Sequence, residues 1–503
     1  MQKYKIVTLL NSFSDDELKK FNDFLNCCYF NTRKKPAELF QILQKQIGKI
    51  SEDNFPKEKF YKKIYGETKQ FNKNTFNDLT SQLFHLAEDF LYFEHLKHNE
   101  RKKEIYLMQK YSEKSYEMLF ANKHNQIKKL IAANPVLDSE LFDDIYNMNI
   151  NELNYFQIHK SIRKQKDFDF VLKGIMNSSA NLTNYYLLEL ASNYINVLVR
   201  RNLFMNQKIE ADFKKIARHV FSKNFLKTIN LYNEYYYIVD VYKNMLEMFI
   251  YLDKNHLYHE YKSSIQTHID KFSTDERSFH YSNLISYCSL RLIKNYADSE
   301  IRKELTHIAR EIITNKYFIT SRNLHLGIPL FRIFLDNFVY LKDSSAIELL
   351  IDECIPLMEK KFKASHKNLA LMYLNFLNEN YTCALVFLGK VNIEYFQMIY
   401  AVKSSYIKIH YHLNNVEQVL SETETYIKFL KSNKAILREK RIKESDFAKI
   451  TRRIVLAENK NKVNDIAYLN HLIQKNPNIA NKEWLLEITN DYLEKNKKIK
   501  IAR

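Results

Sequence analysis

Hydrophobic residues near the start of the chain recur at intervals of three and four residues, which is the spacing of one face of an α-helix. Phe21 and Leu25 lie on such a face within residues 13–28. Ser14 lies at the start of this stretch, and Glu17 follows it three residues later. At this separation the two side chains can satisfy each other's free backbone amides as a capping box. The pattern therefore predicts an amphipathic helix that begins directly after Ser14.

From residue 98 onwards, apolar stretches of helix length alternate with short polar turns. Five of these stretches end in an aromatic residue directly before a polar turn, at Tyr251, Tyr296, Tyr340, Phe376 and Tyr411. The intervals between them are 45, 44, 36 and 35 residues, the length of one helix pair in HEAT-like or tetratricopeptide-like arrays. Because a single pair cannot bury its apolar face, neighbouring pairs must stack. We therefore expect an all-α protein, an α-solenoid of antiparallel helix pairs that resemble degenerate tetratricopeptide or HEAT repeats.

A change in composition near residues 97–103, from an aromatic-rich stretch to a basic and polar one, indicates a domain boundary. We predict an N-terminal helical cap domain over residues 1–97. The rest, residues 98–503, is predicted to be the helical-repeat array, which ends in a C-terminal capping helix.

The N-terminal domain is also compatible with a helix-turn-helix. A short helix at 57–65 and a longer one from about Asn74 have the required order. A DNA-reading helix exposes basic or amide side chains at its start, but here Asp78 would repel phosphate and no arginine is present. A helical cap is therefore favoured over a DNA-reading domain.

Glycine is scarce, with five residues in 503 and no two of them within eight positions of each other. Phosphate-binding loops of the G-x-x-x-x-G-K-[ST] and G-x-G-x-x-G types are therefore absent, as is the G-x-S-x-G nucleophile elbow. Tight hairpins also depend on glycine, whereas the ends of helices can use Asn or Lys instead. We expect an all-helical chain that is not an enzyme, with no cofactor and no metal site.

The five cysteines form no C-x-x-C pair, and their number is odd. Cys288, Cys354 and Cys383 each have apolar neighbours in the sequence, so we expect buried, unreactive thiols. Reduced cysteines are typical of the cytoplasm. No stretch approaches the eighteen consecutive apolar residues of a membrane span. A cytoplasmic protein without a membrane span is expected.

The formal net charge is +18, from 60 Lys and 17 Arg against 59 acidic residues. Arginine, the better phosphate ligand, is the scarcer of the two, so much of this charge is expected on solvated helix faces. One stretch, residues 431–453, is distinctive because most of its basic residues would share one face of a continuous helix, opposite Phe447. We call these residues the basic stripe: Lys434, Arg438, Arg441, Lys449, Arg452 and Arg453. The stripe is a candidate site for an anionic partner, and a solvated outer face is the simpler interpretation.

Tyrosines cluster at Tyr185–Tyr186 and at 235–237. Such clusters can stack on bases or hold a peptide, but consecutive residues on a helix point in different directions. Packing in the core and between repeats is therefore the favoured interpretation.

Six segments carry a resemblance to known proteins: residues 21–25 (FNDFL), 29–31 (YFN), 55–66 (FPKEKFYKKIYG), 406–415 (YIKIHYHLNN), 429–434 (FLKSNK) and 481–487 (NKEWLLE). They are similar to segments of a family of uncharacterised bacterial helical-repeat, tetratricopeptide-like proteins of similar length. The resemblance implies an all-α fold and brings no activity or catalytic residue with it. One departure is Asn414–Asn415, where related repeats often carry glycine, although Asn also tolerates the left-handed conformation.

These features predict a non-enzymatic intracellular scaffold or adaptor that binds a protein partner through a helical-repeat surface. The alternative is a nucleic-acid-binding protein that uses the basic stripe at 431–453, together with the N-terminal helical module.

Overall fold

The computed structural model describes residues 5–48, 54–133, 138–159, 164–200, 207–222, 235–321, 323–392, 398–433, 436–476 and 478–501. Every regular element in these ranges is helical, so the predicted all-α fold is confirmed. The chain divides into two compact units, one of residues 1–186 and 227–236 and one of residues 187–226 and 237–503.

The helices of the first unit follow one another with short connections. They are α1 (Lys5–Ser12), α2 (Asp15–Asn26), α3 (Lys34–Gln44), α4 (Lys57–Tyr65), α5 (Lys73–His98), α6 (Glu100–Glu113), α7 (Glu117–Ala133), α8 (Ser139–His159) and the first part of α9 (Gln165–Arg200). Helix α2 begins as predicted: the Ser14 hydroxyl accepts from the backbone amide of Glu17, and the Glu17 carboxylate accepts from that of Ser14.

Helices α1 to α5 share one aromatic core. Phe21 lies at its centre, with ring centroids 5.0 Å from Phe40, 5.3 Å from Phe90 and 5.8 Å from Phe13. All members of this buried cluster lie between residues 6 and 90. The predicted boundary after residue 97 falls in the last turn of α5, whereas the first compact unit continues to residue 186. The 1–97 domain therefore stays a prediction.

Helix α9 packs against α8 at a glycine. A Cβ atom added to Gly174 would lie 2.8 Å from Leu153 Cδ2, so any larger residue at this position would require the Leu153 side chain to move. Glycine within a helix costs about 1 kcal/mol relative to alanine, which the close packing offsets. Gly174 and Leu153 thus mark the side of α9 that faces its own unit.

The second unit contains the rest of α9 and α10 (Gln207–Val220), followed by thirteen further helices. These are α11 (Tyr236–Ile250), α12 (Asn255–His268), α13 (Thr274–Lys294), α14 (Ser299–Asn315), α15 (Ile328–Tyr340), α16 (Ser344–Leu349), α17 (Lys360–Leu377), α18 (Tyr381–Leu388), α19 (Met398–His412), α20 (Val416–Ser432), α21 (Arg438–Asn459), α22 (Val463–Lys475) and α23 (Lys482–Ile501). Short 3₁₀ and π segments extend α12 (Ile269–Lys271) and α16 (Leu350–Cys354, then Ile355–Leu357).

Five of the turns in the second unit share one backbone geometry. The residues Lys316, Lys342, Glu379, Asn414 and Asn461 adopt φ angles of 56°, 53°, 60°, 56° and 52°. In each turn the next amide donates to a carbonyl five residues earlier, as from Asp343 N to Phe338 O at 2.9 Å. This is the Schellman ending, which usually needs glycine. The expectation that Asn and Lys serve helix ends in this glycine-poor chain is confirmed.

The same turns fall at three of the predicted aromatic junctions, after Tyr340, Phe376 and Tyr411. Each short turn places two helices side by side, and consecutive helices contact each other from α12 to α23. Contacts also join next-but-one helices, namely α15 with α17, α19 with α21, and α21 with α23. Phe376 on α17 also contacts His412 on α19, with ring centroids 5.5 Å apart, so the odd-numbered helices from α15 to α23 form one face.

Candidate functional site

The row of odd-numbered helices in the second unit is curved. Lys342 Nζ, just after α15, lies 2.8 Å from Glu487 Oε1 on α23. Helices in contact have axes about 8–10 Å apart, so a straight row from α15 to α23 would separate these helices by roughly 30–40 Å. The ion pair thus requires the row to bend until its ends meet. We call the space that α15, α17, α19, α21 and α23 surround the groove.

Charged side chains from different helices influence one another across the groove. Burial raises the pKa of the Asp336 carboxyl on α15, although its surface is reached by solvent. Arg332, Lys440 and Lys408 oppose this shift. Lys408 on α19 and Lys440 on α21 both favour the charged carboxylate, so charges from three helices act on the Asp336 carboxyl.

Lys408 is the most perturbed cation of the groove. Burial lowers the pKa of its ammonium to about 8, while Glu444, Glu483 and Asp336 act in the opposite direction. Its Nζ lies 5.8 Å from the ring centroid of Trp484. The residue is half-buried, and the lowered pKa reflects the loss of water around its ammonium group.

Four charged groups in the groove lack a direct counter-ion. Within the described ranges, Arg332, Asp336, Lys408 and Glu483 have no oppositely charged atom within 4 Å. They belong to α15, α19 and α23. Other groove charges are paired: Lys440 Nζ lies 2.8 Å from Glu444 Oε1, and the buried Glu444 also accepts from the Tyr426 hydroxyl at 2.9 Å.

A tyrosine pair lines the groove beside these charges. The Arg302 guanidinium lies between the rings of Tyr296 and Tyr340, 4.3 and 3.6 Å from their centroids. Arg302 is buried and donates to the Asn337 side-chain oxygen at 3.0 Å and to the Tyr296 carbonyl at 3.1 Å. Tyr296 as a whole residue nevertheless stays 58% exposed. Arg302 thus orients an aromatic surface that solvent can reach.

Helix α23 is anchored at the groove through Trp484. Its indole Nε1 donates to His412 Nε2 at 3.1 Å, and its ring contacts Tyr411 and Phe447 at centroid distances of 5.3 and 6.0 Å. Because an indole N–H can only donate, His412 Nε2 must be unprotonated. Burial lowers the pKa of His412, which is consistent with the neutral ring.

The basic stripe lies on the exposed side of α21. The helix is continuous from Arg438 to Asn459, so Arg438, Arg441, Lys449 and Arg452 fall within an arc of roughly 80° at 100° per residue. Phe447, Ile450 and Ile454 are buried, as predicted for the core side. Lys434 lies outside the described residues.

The stripe is partly neutralised by acidic neighbours. Arg452 lies 3.7 Å from Glu424, and Lys449 lies 3.6 Å from Asp446. Arg438, Lys449 and Arg453 are exposed, whereas Arg441 and Arg452 are half-buried. The Nε atom of Arg441 is buried and has no hydrogen-bond partner among the residues that the structure describes.

Two of the three expected buried thiols are found in the core. Cys288 and Cys354 are fully buried, and burial raises the pKa of each thiol to about 12. The prediction for Cys383 is wrong, because this residue is exposed on α18. Apolar neighbours in sequence do not reveal which side of a short helix faces the core.

The tyrosine clusters also differ from expectation. Tyr185 and Tyr186 are exposed on α9, so the prediction of core packing is wrong for this pair.

No group of three or more His, Cys, Asp or Glu side chains suited to a metal ion occurs in the part of the chain that the structure describes. Over the same residues, no helix combines the length and apolarity needed to cross a membrane.

Comparison of the chain with protein-family models, with curated proteins and with solved structures gave no match.

The charged groove residues could not be recognised in the sequence. Asp336 and Lys408 are 72 positions apart and have no local pattern in common. Their proximity arises from the curvature of the helix row. Of the groove residues named here, the sequence pattern pointed only to Tyr296 and Tyr340, because both belong to the recurring aromatic residues at the ends of helices.

Proposed function

We propose that the protein is a non-enzymatic cytoplasmic scaffold or adaptor that binds a segment of a partner protein in the groove. In this proposal the helix pairs form a tetratricopeptide-like α-solenoid with α23 as its C-terminal cap, and no cofactor takes part. The observation that carries the proposal is the set of four groove charges without a direct counter-ion, Arg332, Asp336, Lys408 and Glu483.

The chemistry of the groove favours a polypeptide as its ligand. Charges of both signs lie beside the exposed face of Tyr296. A peptide offers cationic, anionic and apolar side chains together with backbone donors and acceptors, so it can match such a mixture. A nucleic acid is uniformly anionic, and it would meet Asp336, Glu483 and Glu487 in the groove.

Selection from a displayed random-peptide library tests the proposal directly. The full chain is immobilised beside an Asp336→Lys/Lys408→Glu variant, which reverses two groove charges without altering the net charge. A Lys367→Glu variant is the control, because Lys367 is exposed on α17 and forms no ion pair among the described residues.

The native chain and the control should enrich one common peptide motif, and the groove variant should lose it. Enrichment by all three proteins alike, or by none of them, would contradict binding in the groove.

A second function is supported by the basic stripe. Arg438, Lys449 and Arg453 are exposed on one helix, which suits contact with phosphates. If the stripe binds nucleic acid, affinity should fall steeply with salt, and Arg438→Glu with Arg441→Glu should remove most of it. Fluorescence anisotropy with a labelled duplex and a labelled single strand measures both effects. Absence of binding at low ionic strength excludes this function.

A further inference from the structure

The first part of α9 turns its polar residues inward and its apolar residues outward. Ser178, Asn181 and Asn184 face the first unit and are at most 7% exposed. Gly174 lies on the same inner side, against Leu153. The outer side carries five large apolar residues that are each 43–49% exposed: Phe168, Leu172, Ile175, Leu182 and Tyr186.

These outer residues follow a heptad repeat. Together with the exposed Ser179 they are spaced by 4, 3, 4, 3 and 4 residues. Alternation of three and four is the spacing of the seam through which two helices associate in a coiled coil. A helix that packs only against its own domain places such a stripe inward. We call Phe168, Leu172, Ile175, Ser179, Leu182 and Tyr186 the seam.

We propose that the seam is a dimer interface, in which α9 of one chain pairs antiparallel with α9 of a second copy. The seam itself supplies the argument, because it is self-complementary when one copy is reversed. Phe168 then lies opposite Tyr186 of the other chain, Leu172 opposite Leu182, and Ile175 opposite Ser179. The smallest side chain thus meets a large one, and every layer is filled.

A parallel pair fits less well. It would place Ser179 opposite Ser179 and leave a small, polar layer in the middle of an apolar interface. It would also place the two Tyr186 rings opposite each other at one end. The antiparallel arrangement gives the layers of the interface more similar side-chain volumes, which close packing favours.

The exposed apolar area is sufficient for two copies. Aromatic side chains bury about 150–250 Å² each when fully covered, and Leu and Ile are of similar order, so the five large seam residues at 43–49% exposure present roughly 450 Å² per chain. Two copies would together bury about 900 Å², just under the ~1,000 Å² expected of a specific protein interface. Met176 and Tyr185 border the seam and are also exposed, which adds to this area.

The experiment measures the mass of the full chain by sedimentation equilibrium over micromolar concentrations. The native chain should reach twice the 60.5 kDa of one chain. Ile175→Glu and Ser179→Lys should each give the mass of a single chain, because each puts a charge into the pairing. Lys173→Glu, on the same helix outside the seam, should leave the dimer unchanged. Far-ultraviolet circular dichroism checks that each variant keeps its helices.

Mixing the two seam variants tests the orientation. In the antiparallel pair, Glu at position 175 of one variant faces Lys at position 179 of the other, so the mixture should recover the doubled mass. A parallel pair would not bring these charges together. The proposal is overturned if the native chain sediments as a monomer, if Ile175→Glu remains a dimer, or if the mixture stays monomeric.

Discussion

The seam on α9 and the groove of the second unit are both exposed surfaces, but they differ in how they are built. The seam lies on one helix, repeats every three or four residues and contains no charge. The charged groups of the groove come from four helices, α15, α19, α21 and α23, and they influence one another electrostatically. An apolar stripe that one helix presents suits lasting association with an identical helix. A charged, aromatic groove suits ligands that enter and leave.

The largest expected effect concerns the anchor of α23. Trp484→Ala removes a buried ring that contacts α19 and α21 and leaves His412 without its donor. We expect the free energy of unfolding to fall by about 3–5 kcal/mol, with loss of groove binding. Urea titration measures the change, and Tyr468→Ala serves as the control, since Tyr468 is 59% exposed on α22. A loss as small as that of the control would show that α23 is not held through Trp484.

The next effect concerns the cation between the two groove tyrosines. Arg302→Met keeps most of the apolar stem but removes the guanidinium, so Asn337 loses a buried hydrogen bond. We expect a loss of about 2–4 kcal/mol in urea titration. Arg310→Met is the matched control: Arg310 is half-exposed, pairs with Asp343, and should lose less than about 1 kcal/mol. Equal losses for the two variants would contradict the structural role of Arg302.

Lys408 gives the groove a pH dependence that the seam should lack. Its pKa is lowered to about 8 in the folded chain, below the value near 10.5 of a free lysine. Between these values the unfolded chain binds more protons, so the contribution of Lys408 to stability increases as pH rises. The contribution is lowest below pH 8, where Lys408 is charged in both states.

This contribution is isolated by measuring the free energy of unfolding of the native chain and of a variant, and by following the difference between them as the pH changes. The stability of the native chain relative to Lys408→Met should rise between pH 7 and pH 9.5, whereas the same difference for Lys428→Met should stay constant. Lys428 is an exposed residue on α20 and provides the control. The mass of the dimer should not change over this range, because the seam contains no basic or acidic side chain. A flat difference for Lys408→Met would contradict the burial of its charge.

Features that depend on neighbours in sequence were predictable. The capping box at Ser14 and the turns after Tyr340, Phe376 and Tyr411 all follow from local patterns, and the structure contains each of them. Features that depend on the curvature of the helix row in the second unit were not predictable from the sequence. Asp336 and Lys408 come together because the helix row bends, and nothing near either residue indicates the bend.

The seam is an intermediate case. Its heptad spacing is present in the sequence. Because Tyr185 and Tyr186 are adjacent, however, they are interpreted as a tyrosine cluster, and Tyr186 is not recognised as a member of the heptad. The periodicity alone does not say which side of α9 faces the core. The position of Gly174 against Leu153 supplies that information.

The smallest expected effect would refine the seam. Ser179 is its one small polar member, and pairing removes its hydroxyl from water opposite Ile175 of the other chain. Ser179→Ala should tighten the dimer by up to about tenfold, because the alanine loses no hydration on pairing. Part of any change in stability comes from the higher helix propensity of alanine. Asn177→Ala makes a similar gain in propensity on the exposed side of α9 away from the seam, so it should leave the dissociation constant unchanged. Sedimentation of both variants therefore separates the effect of pairing from that of the helix itself, and a dimer that weakens in Ser179→Ala would contradict the proposed Ile175–Ser179 layer.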